Sequence, residues 1–160
     1  MKQSAVFPAA SFEEAMQSEY ISLEDTAEDW KTISADANTL KFDLGGENED
    51  CASYLSLWIH SPRALDEILL DPDAPRLYLV GCSDDGCKVF LNGTPVFEDA
   101  RIHSCAPEYF GFETRLMLKQ GWNRLLVKVA QGSGEYQFMG NFECSDPQFW
   151  QSVTVSTDRE

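Results

Sequence analysis

From residue 51 onward, apolar and polar side chains alternate with the period of two that marks a half-buried strand. Over residues 52–60, Leu55, Leu57 and Ile59 fall on one side, while Tyr54, Ser56, Trp58 and His60 fall on the other. Further strands are expected at 76–82, 87–91, 94–97, 113–118, 123–130 and 136–143. They are punctuated by the turn signals Ser83-Asp84-Asp85-Gly86, Asn92-Gly93, Gln120-Gly121 and Gly132-Ser133-Gly134. Asn92-Gly93 is the strongest of these, because both central positions of a type I′ hairpin turn require positive φ. Short strands with turns at close spacing predict an all-β fold, a two-sheet antiparallel β-sandwich.

The first fifty residues are acidic and less regular. Ser11-Phe12-Glu13-Glu14 has capping-box spacing and predicts a short N-terminal helix over 11–18. Two short strands are expected at 29–33 and 40–44, the second stopped by Gly45-Gly46. Residues 62–75 form the one long connection, with a helical turn expected at 63–70. The polar tail is expected to fray from about residue 152. No linker, repeat or low-complexity tract divides the chain, so all 160 residues are read as a single domain.

Composition narrows the partners. A net charge of −15 repels phosphate backbones and anionic bilayers, so nucleic acid and membrane surfaces are poor candidates, and a neutral ligand, a cation or another protein remains. No apolar run is long enough to span a bilayer, and the first residues lack the apolar stretch of a signal peptide. The five cysteines, Cys51, Cys82, Cys87, Cys105 and Cys144, leave at least one unpaired within the chain. Cys82 and Cys87 flank the acidic turn: either they form a disulfide across a hairpin, or they stay free as small apolar side chains. Gly-x-Ser-x-Gly, His-Glu-x-x-His and glycine-rich phosphate loops are all absent, which argues against an enzyme.

Three stretches carry a resemblance: Tyr54 with Trp58-Ile59-His60-Ser61-Pro62; Ser83-Asp84-Asp85-Gly86 through Asn92-Gly93; and Lys119-Gln120-Gly121-Trp122-Asn123 followed by Leu-Leu-Val-Lys-Val. Together with Trp30 and the strand ending at Leu44, they resemble the galactose-binding-like jelly-roll modules attached to glycoside hydrolases and other carbohydrate-active proteins. The likeness covers nearly the whole chain. The Ser-Asp-Asp-Gly half is also similar to PA14 lectin-like domains, in which an Asp-Asp pair ligates calcium. The resemblance implies a jelly-roll sandwich, a non-catalytic carbohydrate-binding or accessory role, a larger parent protein and a place outside the cytoplasm. Cys82 and Cys87 beside the acidic turn depart from an ordinary member.

The candidate ligand contacts are Trp58, Tyr54 and His60, since sugar C–H faces stack on aromatic rings while neighbouring polar groups bond the hydroxyls. The competing expectation is that residues 1–50 or the 62–75 connection cover this face. Tyr109, within the aromatic segment 103–112, is a candidate loop contact. Trp122 is read as a core or corner residue. Asp84 and Asp85 are hard oxygen donors suited to Ca²⁺, with Asn123 or an acidic residue from 47–50 as further donors. Alternatively they cap a solvated hairpin turn. The rival to sugar binding is a structural or protein-interaction domain that orients a catalytic neighbour.

Overall fold

The computed structural model describes residues 1–23, 29–45, 49–65 and 73–159. In chain order the first elements are β1 (Lys2–Gln3), β2 (Phe7–Pro8), α1 (Phe12–Gln17), β3 (Lys31–Thr32), β4 (Lys41–Asp43), β5 (Cys51–Ser61), β6 (Leu77–Ser83) and β7 (Gly86–Leu91). They are followed by β8 (Thr94–Asp99), α2 (Pro107–Phe110), β9 (Phe112–Arg115), β10 (Gly121–Gln131), β11 (Gln137–Cys144), α3 (Pro147–Ser152) and β12 (Thr154–Ser156). The described strands form two antiparallel sheets. One runs β3-β1-β5-β10-β7-β8, with β2 and β12 also on the outer edge of β5; the other runs β4-β11-β6-β9. The helical turn expected at 63–70 falls largely outside the described residues.

The long β5 and β10 form the spine. They pair over their full length, from Gly121 opposite Ser61 to Gln131 opposite Cys51. Alternation sends Leu55, Leu57 and Ile59 of β5 and Leu125, Val127 and Val129 of β10 inward, where they meet Leu77, Leu79, Phe112 and Phe138 of the second sheet. This shared core is the sandwich that the sequence pattern predicts. The Asn92-Gly93 turn also forms as expected, with φ of 52° and 79° joining β7 to β8.

Two expectations are corrected. The Ser83–Gly86 turn signal does not close a hairpin: β6 belongs to one sheet and β7 to the other, so the chain crosses between sheets at Asp84-Asp85. Cys82 and Cys87 therefore lie in different sheets, and both thiols are free. Gly86 is needed directly after the crossover, because a Cβ there would come within 2.8 Å of the Asp99 carbonyl oxygen. Nor does the tail fray at residue 152. Asp146 accepts hydrogen bonds from the Gln148 and Phe149 amides and starts α3, with Pro147 at its first position. β12 then pairs with β5, setting Thr154 opposite His60 and Ser156 opposite Trp58.

The acidic N-terminal segment folds onto the outer face of the larger sheet. Ser11 caps α1 by accepting from the Glu14 amide, as the capping-box spacing predicts. Ala15 and Met16 of α1 then pack on Ala52 and Ala130, while Ile21 packs with Tyr54, Phe90 and Leu126. Lys128, buried beneath this segment, donates to the carbonyls of Met16 and Ser18 at the helix end and lies over the Tyr20 ring. Burial lowers its pKa to about 8. Among the described residues, no helix is long and apolar enough to cross a membrane.

Candidate functional site

The outer face of the larger sheet divides into a sealed half and an open half. Tyr54 falls in the sealed half and is corrected as a ligand contact. It is fully buried, its hydroxyl accepts from the Tyr20 amide, and the Phe7 ring meets it edge-on. The alternation that puts Tyr54 on the same face as Trp58 holds. The covering segment stops short of the Trp58 end.

In the open half, the β5–β10 register places Trp58 opposite Arg124 and His60 opposite Trp122. His60 and Trp122 meet edge to face with ring centroids 5.1 Å apart. Trp30, on the loop before β3, joins them: the Arg124 guanidinium lies 5.9 Å from its ring centroid. Arg124 is buried and held in place, its Nε donating to Ser56 Oγ at 3.4 Å and an Nη to the Leu23 carbonyl at 3.2 Å. Below it, Asn92 Oδ1 accepts from the Arg124 amide and Asn92 Nδ2 donates to Asn123 Oδ1.

Two adjoining cavities open on this cluster. One, of about 140 Å³, is lined by Lys2, Trp30, Ser56, Trp58, Arg124 and Asp158 among others. The other, of about 260 Å³, is lined by Leu23, Trp58, Asn92, Trp122, Arg124 and Arg159. Trp58 and Arg124 belong to both, so the cavities meet at this pair. The Trp30 indole N–H is buried without a hydrogen-bond acceptor among the described residues, which leaves an orphan donor on a side chain of the first wall. The tail contributes as well. Asp158 pairs with Lys2, and the Arg159 guanidinium sits 5.6 Å from the Trp58 ring centroid. Sequence reasoning singled out Trp58 and His60 but missed the roles of Trp30, Trp122 and Arg124. The available signal was an arginine on the same alternating face of β10 as Trp122.

Tyr109 stands apart from this cluster. It is 83% exposed on α2. Its loop is tied to the sheet-to-sheet crossover, which meets residue 132 just past the C-terminal end of β10, whereas Trp122 sits at the N-terminal end of that strand. At roughly 3.3 Å per residue, the length of β10 separates the two places.

Asp84 and Asp85 are buried rather than solvated, which corrects the hairpin-cap expectation. Asp85 Oδ1 accepts from the His103 amide at 2.9 Å, and its Oδ2 accepts from the amides of Gly132 at 2.7 Å and Ser133 at 3.3 Å. Asp84 Oδ2 accepts from the Cys105 amide at 3.3 Å. Burial raises the Asp84 pKa. These carboxylates fasten two loops to the crossover. Asn123, expected as a further calcium donor, lies at the far end of β10 with its Oδ1 accepting from the Lys119 amide and its Nδ2 donating to carbonyls of Lys119 and Gly121. Of the acidic stretch 47–50, residues 47 and 48 lie outside the described residues. No group of three or more His, Cys, Asp or Glu side chains among the described residues is arranged to hold a metal ion. Calcium ligation by Asp84 and Asp85 is a proposal: an oxygen that accepts a single amide keeps a lone pair beside that hydrogen bond, and a cation that takes six to eight oxygens would need further donors. If they hold the ion, adding a chelator lowers the melting temperature, and an unchanged melting curve counts against the site. A drop reversed by Ca²⁺ would establish a bound ion.

The fold and this cluster define a two-sheet β-sandwich with an aromatic, arginine-centred hollow on one sheet. No family model matches the chain, and no curated protein matches it. Among solved structures it is similar to the PA14 domain of the MpAFP antifreeze protein, with 15% identity over 70% of this chain and a TM-score of 0.48. The match spans 55% of that chain. It is also similar to a family 35 carbohydrate-binding module from an environmental isolate, with 12% identity over 81% of this chain and 92% of that one, and a TM-score of 0.45.

Proposed function

We propose that this protein is a non-catalytic glycan-binding module that holds its ligand in the hollow around Trp58 and Arg124. The observation that carries the reading is the meeting of two cavities at this pair, with Trp30 and Trp122 on their outer walls. Indole rings offer flat apolar surface for the C–H faces of a sugar. Ser56, Asn92 and Thr157 offer hydroxyl and amide groups to the ligand's own hydroxyls, and the Trp30 N–H adds a donor. The Arg159 guanidinium lies on Trp58, so a sugar stacking there displaces it or packs beside it. A place outside the cytoplasm and attachment to a larger carbohydrate-active protein belong to this proposal. Tyr109 is a separate, secondary contact at the other end of the sandwich.

The test is titration calorimetry against plant, algal and host polysaccharides. Wild-type protein should bind at least one of them. Trp58→Ala and Trp122→Ala should each weaken that binding by about tenfold or more while leaving the far-UV spectrum intact. Tyr109→Ala should have the smaller effect. Failure of folded wild-type protein to bind any glycan would favour the alternative, a structural or protein-interaction domain that orients a catalytic neighbour. One observation supports that alternative: Tyr54, half of the expected aromatic pair, is sealed beneath the chain's own N-terminal segment.

A further inference from the structure

The mispaired expectation for Cys82 points to a different partner. Cys82 lies at the end of β6 on the outer side of the smaller sheet, since Leu77, Leu79 and Gly81 alternate inward. The loop leading to α2 covers it and brings Cys105 onto it, with Cys105 Sγ 3.4 Å from the Cys82 carbonyl oxygen. Cys87 points instead into the core between the sheets, where it packs with Leu55 and Val129. The same loop is already anchored at both ends of this contact, by the Cys105 amide on Asp84 and the His103 amide on Asp85. A cross-link between Cys82 and Cys105 would therefore join two segments that the fold already holds in contact.

We propose that Cys82 and Cys105 are a disulfide-forming pair that latches the Tyr109 loop to the smaller sheet under oxidising conditions. With glutathione disulfide as oxidant, the Cys105 thiol, 5% exposed against 0% for Cys82, loses its proton and attacks one glutathione sulfur. The glutathione S–S bond breaks, a mixed disulfide forms and one glutathione thiolate leaves. The Cys82 thiolate then attacks the Cys105 sulfur and expels the second glutathione. Two protein thiols are oxidised to one disulfide, one glutathione disulfide is reduced to two glutathione thiols, and the released protons end on those thiols. Burial pushes the Cys105 thiol up to about 12, which makes the thiolate scarce in the folded protein. Oxidation of the native state is therefore slow at neutral pH and faster as pH rises, and oxidation during folding is the efficient route.

The experiment refolds the full chain from denaturant in a glutathione redox buffer, then blocks remaining thiols under denaturing conditions and maps the peptides by mass spectrometry. Wild type should show two blocked cysteines fewer than a reduced control, with Cys82 joined to Cys105. Its melting temperature should rise by several degrees over the reduced form. Cys87→Ala should keep the cross-link, and Cys105→Ser should lose it. Five blocked thiols after refolding to the native spectrum, or a cross-link mapping to Cys82 and Cys87, would overturn the assignment.

Discussion

Replacing Asp85 with alanine is expected to remove about 3–5 kcal/mol of folding stability, a large part of what a domain of this size possesses. The side chain is 2% exposed, and its carboxylate receives three backbone amides from two loops distant in sequence. An alanine leaves the buried His103 amide and the part-buried Gly132 and Ser133 contacts without their acceptor. Asp85→Asn keeps one carbonyl oxygen but turns an NH₂ group toward donors, so it should cost about 2–3 kcal/mol. Asp84→Ala, which frees only the Cys105 amide, should cost about 1 kcal/mol. Urea denaturation monitored by tryptophan fluorescence measures the series. An Asp85→Ala protein within about 1 kcal/mol of wild type would show that the loops hold themselves without the carboxylate.

The fate of that aspartate pair shows what the sequence could and could not reveal. Ser-Asp-Asp-Gly is a turn signal because its side chains bond local amides and tolerate a sharp change of direction. That chemistry is the same whether the strands on either side share a ladder or enter different sheets. Asn92-Gly93 is more informative, since consecutive positive φ values suit only a two-residue hairpin. The alternation over 52–60 fixed which side chains share a face, and β5 obeys it throughout. Which part of the outer face is open depends on where the 7–23 segment docks, and that is a tertiary fact with no period of its own. Arg124 and Lys128 were the available hints. Charges on the outer face of a strand this buried need a partner from elsewhere in the chain. Lys128 finds the end of α1, and Arg124 finds Trp30 and the Leu23 carbonyl. The missed tail had a readable start in Asp146-Pro147, an N-cap followed by proline.

Under reducing conditions the protein should lose stability steeply above pH 9, because its buried thiols resist ionisation. Burial raises Cys51 to about 11 and both Cys87 and Cys105 to about 12, from 9 in the open chain, and it raises Cys82 as well. Between those values the folded protein holds protons that the unfolded chain has released. Stability therefore falls with pH across that window and is intact below pH 9. Lys128 acts in the opposite direction. Its pKa of about 8 against 10.5 unfolded means the unfolded chain binds the extra proton, so this group adds stability as pH rises from 8 to 10.5. The thiols outnumber the one amine, so the net effect is a loss of stability between roughly pH 9 and 11. Tyr54, raised to about 12 from 10 by burial, steepens the loss above pH 10. Denaturant midpoints measured from pH 7 to 11 in the presence of a phosphine reductant should stay level or rise slightly to about pH 9 and then drop. Cys87→Ala, which removes the thiol most deeply enclosed in the core, should make the drop shallower. A flat profile to pH 11 would mean that these thiols ionise as freely in the folded protein as in the unfolded chain.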